Sequence, residues 1–178
     1  MFKPKWIQFK WDLSTLPDDI TPPEIKGDLR LAEKEDREAC LNVIRHALMS
    51  ERAWGGDIDR FEEDLDELFP KAFSADHEAE IVVWEDGRRI VGLSSLYPNA
   101  DSPRQLVSGV CIFEEYRCRG GGKALLLRSL QRLKARGLST ASVITRQNIT
   151  AAKFLYPKWN PSQQILEELP TWNLAVAK

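Results

Sequence analysis

Apolar positions along this chain recur with two different periods, and the places where the period switches mark out the elements. Across 36–49 the apolar residues Cys40, Leu41, Ile44, Ala47 and Leu48 keep the spacing of one helical face. Ile58, Phe61, Leu65 and Leu68 repeat that spacing in a second, acidic segment that Pro70 is expected to end. Stretches at 79–85 and 89–97 flank Asp86-Gly87, a strong hairpin signal. A short strand is expected at 29–31, and an apolar, β-branched strand at 105–113. A leucine-rich helix then runs from about Gly121 to Arg136, where Gly137 closes it. Beyond it lie a strand at 141–145, a short helix at 150–156 stopped by Pro157, and a final hairpin from 164–169 and 172–177.

The resulting order, β, α, α, β, β, β, α, β, α, β, β, predicts an α/β protein with a mixed sheet flanked by helices. Residues 1–26 stand apart from it. Trp6, Phe9 and Trp11 alternate loosely with lysine before Pro17, Pro22 and Pro23, which predicts a short strand and an extended connector on the domain surface. One domain is expected over 27–178, with the aromatic arm a candidate surface for a homodimer.

Composition narrows the partners. A net charge of −2 argues against sequence-independent nucleic-acid binding, which needs a basic face. No apolar run approaches the length of a membrane span, and the first residues do not read as a signal peptide. Three widely spaced cysteines make no disulfide framework, so the cytoplasm is the expected compartment. There are two histidines, and His77-Glu78-Ala79-Glu80-Ile81 lacks the second histidine of a zinc helix; no metal is expected.

The candidate chemistry gathers in Glu115-Tyr116-Arg117-Cys118-Arg119-Gly120-Gly121-Gly122-Lys123-Ala124-Leu125-Leu126. Three glycines among three cations open directly into a helix, whose first N–H groups and positive dipole end attract phosphate. A strand before this loop completes a pyrophosphate cradle. It is not a P-loop, because counting back from Gly122 puts Arg117 at the first glycine position and Ala124 replaces the hydroxyl that binds Mg²⁺. Nor is it a dinucleotide fingerprint, because from Gly120 the last glycine position is Leu125.

What remains is Arg-x-x-Gly-x-Gly at 117, 120 and 122, and here the chain resembles the GNAT-type N-acetyltransferase superfamily. That family carries Gln/Arg-x-x-Gly-x-Gly/Ala between a strand and a helix as its acetyl-coenzyme A loop. A second segment is similar to the family's Asn-x-x-Ala…Leu-Tyr-x-Lys-Leu-Gly: Asn148-Ile149-Thr150-Ala151-Ala152-Lys153-Phe154-Leu155-Tyr156-Pro157-Lys158-Trp159-Asn160. Asn160 stands where the family has glycine, and asparagine tolerates a left-handed backbone. The span from Asn148 to Tyr156 is one residue longer than the common one.

The resemblance implies a GNAT-like fold with a mostly antiparallel central sheet and an N-terminal extension. It implies acetyl-CoA as cosubstrate, a small-molecule or peptide amine as acceptor, and direct transfer in a ternary complex. A non-catalytic acyl-CoA-binding module of the same fold is the alternative. The cofactor is expected on the backbone of Cys118, Arg119, Gly120, Gly121, Gly122 and Lys123, with charge from Arg117, Arg119 and Lys123. Val110 and Ile112 are implied as main-chain partners of the pantetheine arm, Asn148 as a further contact, and Tyr156 as general acid toward the departing sulfur. No base is evident; Glu115 is the nearest carboxylate to the loop. Arg128, Arg132 and Arg136 form a stripe that either meets the nucleotide 3′-phosphate or is a solvated face. The acids at 59–67 either favour a cationic amine such as a polyamine or form a solvated helix face.

Overall fold

The computed structural model describes residues 5–168. Four strands that follow one another with only helices between them, β2 (Asp28–Leu31), β3 (Glu80–Asp86), β4 (Arg89–Leu96) and β5 (Leu106–Ile112), form an antiparallel sheet in that order. A second antiparallel sheet has the order β6 (Thr140–Arg146), β1 (Trp6–Asp12), β7 (Ser162–Leu166). Between β2 and β3 come α1 (Arg37–Met49) and α2 (Ile58–Ala72), and α3 (Gly121–Ala135) and the short α4 (Thr150–Phe154) flank β6 in sequence. The mixed α/β architecture with mostly antiparallel pairing is the one the sequence predicts.

Strand alternation divides the helices between the two faces of the first sheet. Leu125 of α3 packs beside Gly92 and Ile112, and Trp84 lies on Gly121. On the other face, His46 of α1 meets Phe113 edge-on at 5.4 Å. Two ion-pair sets tie helices to the sheet. Arg104 and Asp64, both buried, join the loop before β5 to α2 at 2.9 Å. Arg132 and Arg136 both donate to Glu80, so two members of the arginine stripe, though part-exposed, are engaged by a carboxylate of β3.

Two expectations are corrected. The aromatic strand of the arm is not an outlying surface strand but the middle of the second sheet, with Phe9 and Trp11 only 1% exposed. Its partners lie more than a hundred residues away, and Trp11 Nε1 donates to the Lys158 carbonyl at 2.8 Å. Helix α2 also runs through Pro70 to Ala72. A proline in the last turn removes one helical hydrogen bond, and burial of Phe69 against Phe73, with ring centroids 5.2 Å apart, outweighs it. Of the expected terminal hairpin, β7 forms and pairs with β1; 172–177 lies outside the described residues.

Candidate functional site

The two sheets touch at one point and then part. Just before β5, the Gln105 N–H donates to the Ser142 carbonyl at 3.0 Å, and the Gln105 side chain accepts from Ser142 N–H at 2.8 Å. Beyond that clamp no ladder joins β5 to β6 among the described residues. A bulge opens the gap further: the β4–β5 register shifts between Ser94 and Leu96, and opposite it Gly109 adopts a φ of +64°. Any Cβ at Gly109 would run into the Tyr156 hydroxyl, so glycine is required there on two counts.

Tyr156 stands in this gap. It is 2% exposed, wedged between Phe9 and Trp11 at centroid distances of 5.6 and 6.2 Å, and its hydroxyl oxygen accepts from Val110 N–H at 2.9 Å. Burial pushes the phenol well above its ordinary range, against the smaller opposite pull of the Val110 hydrogen bond; Cys111 and Glu51 add to the rise. The hydroxyl therefore keeps its proton at neutral pH. Phe113 N–H is bonded to Val91 on β4, so strand alternation turns the N–H and C=O of Val110 and Ile112 toward the gap.

A cavity of about 290 Å³ occupies the gap, bounded on one side by α3 and α4 and on the other by the end of α1. Val110, Ile112, Arg117, Cys118, Gly120, Gly122, Lys123 and Tyr156 all line it. The loop enters α3 through left-handed Cys118 (φ +60°) and Gly120 (φ +83°), and Ala124 N–H makes the first helical bond, to Gly120. The N–H groups just before Ala124 are thus those that a helix start leaves without an intrahelical acceptor.

The three glycines serve different ends. A Cβ at Gly121 would collide with the Trp84 ring, so this glycine lets the helix seat on β3. At Gly122 a Cβ has ordinary contacts with Ile112 and Leu155 at 3.5 Å, so its absence leaves open space in the cavity wall. Gly120 supplies the turn.

Three expected contacts point elsewhere. Arg117 turns onto the end of α1, donating to the Ala47 carbonyl at 3.3 Å and the Ser50 hydroxyl at 2.7 Å, with Glu51 at 3.7 Å. Four orphan carbonyls and the negative dipole end draw it there. Arg119 lies over the Tyr116 ring at 5.1 Å. Asn148 is exposed in the turn after β6 and does not line the cavity, where Ile149 and Thr150 take the wall. Glu115 faces Arg89 at 3.4 Å, away from the loop's arginines.

Glu51 was not expected. Its carboxylate lines the cavity, accepts from Thr150 N–H at 3.3 Å to each oxygen, and is 15% exposed. No local motif signals it. Cys111 also lines the cavity, its thiol pushed up to about 12 by burial, so it is protonated at neutral pH.

Comparison with known proteins places the fold in a family. The model of the acetyltransferase (GNAT) family matches residues 41–159. No curated protein matches the chain. Among solved structures it resembles the paia N-acetyltransferase from Thermoplasma acidophilum in complex with coenzyme A, at a TM-score of 0.51 and 19% identity over 62% of this chain and 73% of that one. It resembles a GNAT-family acetyltransferase from Colwellia psychrerythraea at 0.61 and 14% identity, covering 93% of this chain and 55% of the other. A GCN5-related N-acetyltransferase from Sphaerobacter thermophilus gives 0.54 and 18%, covering 92% and 50%. The chain thus spans about half the length of the latter two, and at these identities the likeness is one of fold. With the family match covering most of its length, the chain belongs to the acetyltransferase (GNAT) family, whose members use acetyl-CoA.

Proposed function

We propose that this protein is an acetyl-CoA-dependent N-acetyltransferase that moves the acetyl group directly onto a primary amine held beside the cosubstrate. One observation carries the reading: a neutral tyrosine hydroxyl and an inward-facing strand N–H meet in a cavity that a glycine-rich helix start walls on one side. The cavity fits a phosphate-bearing thioester. Gly122 leaves room where a side chain would project, and Lys123 and Lys158 supply positive charge at the wall.

In this reading the main-chain N–H groups of 118–123, with Lys123, hold the pyrophosphate, and the gap-facing groups of Val110 and Ile112 align the pantetheine arm. Bound there, acetyl-CoA supplies a thioester whose carbonyl carbon takes the amine lone pair as the C–S bond breaks, leaving a thiolate that needs one proton. Val110 N–H polarises the carbonyl once the Tyr156 oxygen yields it. Tyr156 holds the proton at its hydroxyl oxygen and delivers it to the sulfur, and the proton shed by the amine restores the phenol. The net change is amine plus thioester to amide plus thiol. Direct transfer is supported by the cysteines: burial holds Cys111 as a thiol, Cys40 is buried with its thiol likewise pushed up to about 12, and Cys118 is exposed on the loop.

The test is release of free thiol from acetyl-CoA across a panel of primary amines, with the amide identified by mass. Amine-dependent release supports the reading; binding of acetyl-CoA with no amine-dependent release makes the protein an acyl-CoA-binding module.

A further inference from the structure

The charges around the cavity bear on which amine it takes. Among the described residues that line it, Glu51 is the only carboxylate, against Arg117, Lys123 and Lys158. The acids of α2 and its lead-in, which by composition alone would suit a polycation, lie outside the cavity lining: Asp59, Glu63 and Glu67 are exposed, and the others are paired. Asp57 accepts from Arg146 at 2.8 Å, Asp64 is sealed with Arg104, Glu62 is paired with Arg45 and Asp66 with Arg37. None of these lines the cavity.

The wall beside Glu51 is apolar. Ala47, Leu48 and Trp54 form it, and Trp54 is fixed edge-on against Phe61 at 4.9 Å and tilted against Trp6 at 6.2 Å. This end belongs to α1, on the sheet face opposite α3, so the acceptor approaches across the gap from the glycine loop. Glu51 is itself held in place: Thr150 N–H and Arg117 take part of its hydrogen-bonding capacity, and a carboxylate with about four acceptor sites retains room for an ammonium.

We propose that the acceptor is a monoamine with a flat, apolar body against Leu48 and Trp54; its ammonium docks on Glu51 and passes one proton to that carboxylate, which leaves the free amine to supply the lone pair. The proposal rests on the acetyl-transfer reading above and adds the substrate class. A polyamine or aminoglycoside brings further charges that find no second carboxylate among the described lining residues and only apolar side chains beside Glu51, so desolvating them is uncompensated.

The test compares 2-phenylethylamine with spermidine as acceptors for the wild type, Glu51→Gln and Glu51→Asp, with acetyl-CoA affinity measured separately by calorimetry. Phenylethylamine is expected to exceed spermidine about tenfold in kcat/KM. Losing a charge-assisted contact in Glu51→Gln should raise the phenylethylamine KM about tenfold or more, with acetyl-CoA affinity kept within about twofold. Glu51→Asp should recover part of the loss. Preference for spermidine, an unchanged amine KM in Glu51→Gln, or no acetylation of either amine by a protein that binds acetyl-CoA overturns the proposal. Failure of the wild type to bind acetyl-CoA overturns the acetyl-transfer reading, and the proposal with it.

Discussion

The two walls of the cavity are built in opposite ways. On the α3 side the wall comes from one short segment, with Arg117, Cys118, Gly120, Gly122 and Lys123 lining the cavity, and glycine leaves its backbone reachable. On the α1 side it is assembled from side chains, and Glu51 is held by Thr150, 99 residues away in sequence. A site made of backbone must be written in glycine, because only glycine combines positive φ with close approach at little cost. A site made of side chains can rest on one ordinary glutamate. In the proposed function the first kind serves the cosubstrate and the second the acceptor, which is why the sequence offers a motif for the one and none for the other.

Tyr156 stands where the walls meet, and altering it should have the largest effect. Removing the hydroxyl in Tyr156→Phe should lower turnover on the order of 10²-fold, with little change in acetyl-CoA affinity, since the ring stays packed on Phe9 and Trp11. Steady-state rates under conditions where chemistry limits, with affinity by calorimetry, check this. Wild-type turnover would leave Tyr156 as packing alone.

A smaller effect separates structure from binding within the α3 wall. Gly121→Ala drives a methyl into Trp84 and should cost about 1–3 kcal/mol of stability, read as a lowered denaturation midpoint. If it proves as stable as the wild type, Gly121 is not there for the helix–sheet contact.

Smaller again is the clip that holds α3 to β3. Burial would raise the Glu80 carboxyl, but Arg132 and Arg136 outweigh it and hold it below the usual carboxylate range. Its folded pKa is depressed, so its stabilisation is complete above the ordinary carboxylate range and is lost as pH falls through the folded value. Glu80→Gln should therefore melt earlier than the wild type at neutral pH, by about 1.5 kcal/mol, and the two curves should converge on acidification. Melting temperatures across pH would show this; a gap that is constant down to strong acid would contradict the assignment.

Particular residues show how far the sequence could be read. The glycine-basic loop, the strand before it and left-handed Asn160, at φ +52°, are visible because each depends on local backbone preference. The site of Tyr156 was legible through the family pattern, although its bond to Val110 was not. Strand β1 was placed wrongly because its partners, β6 and β7, are set by burial of Trp6, Phe9 and Trp11 in three dimensions, and nothing within residues 1–26 names them. Arg117 lines the cavity, but its bonds to the end of α1 were not legible, since those partners lie 67 and 70 residues away in sequence. Asn148 misled through the family pattern: it is exposed and stays out of the wall. Glu51 gave no signal, because a single acid after a helix end looks like any other.

The account turns on the cavity being the acetyl-CoA site, and calorimetry on the wild type and Gly122→Val tests that most directly. A valine there projects between Ile112 and Leu155 into the cavity, where the present glycine leaves space. The account predicts saturable binding of acetyl-CoA to the wild type and a loss of about tenfold or more in a Gly122→Val protein that keeps its circular-dichroism spectrum. Equal affinity in the two folded proteins, or no binding to either, would contradict it.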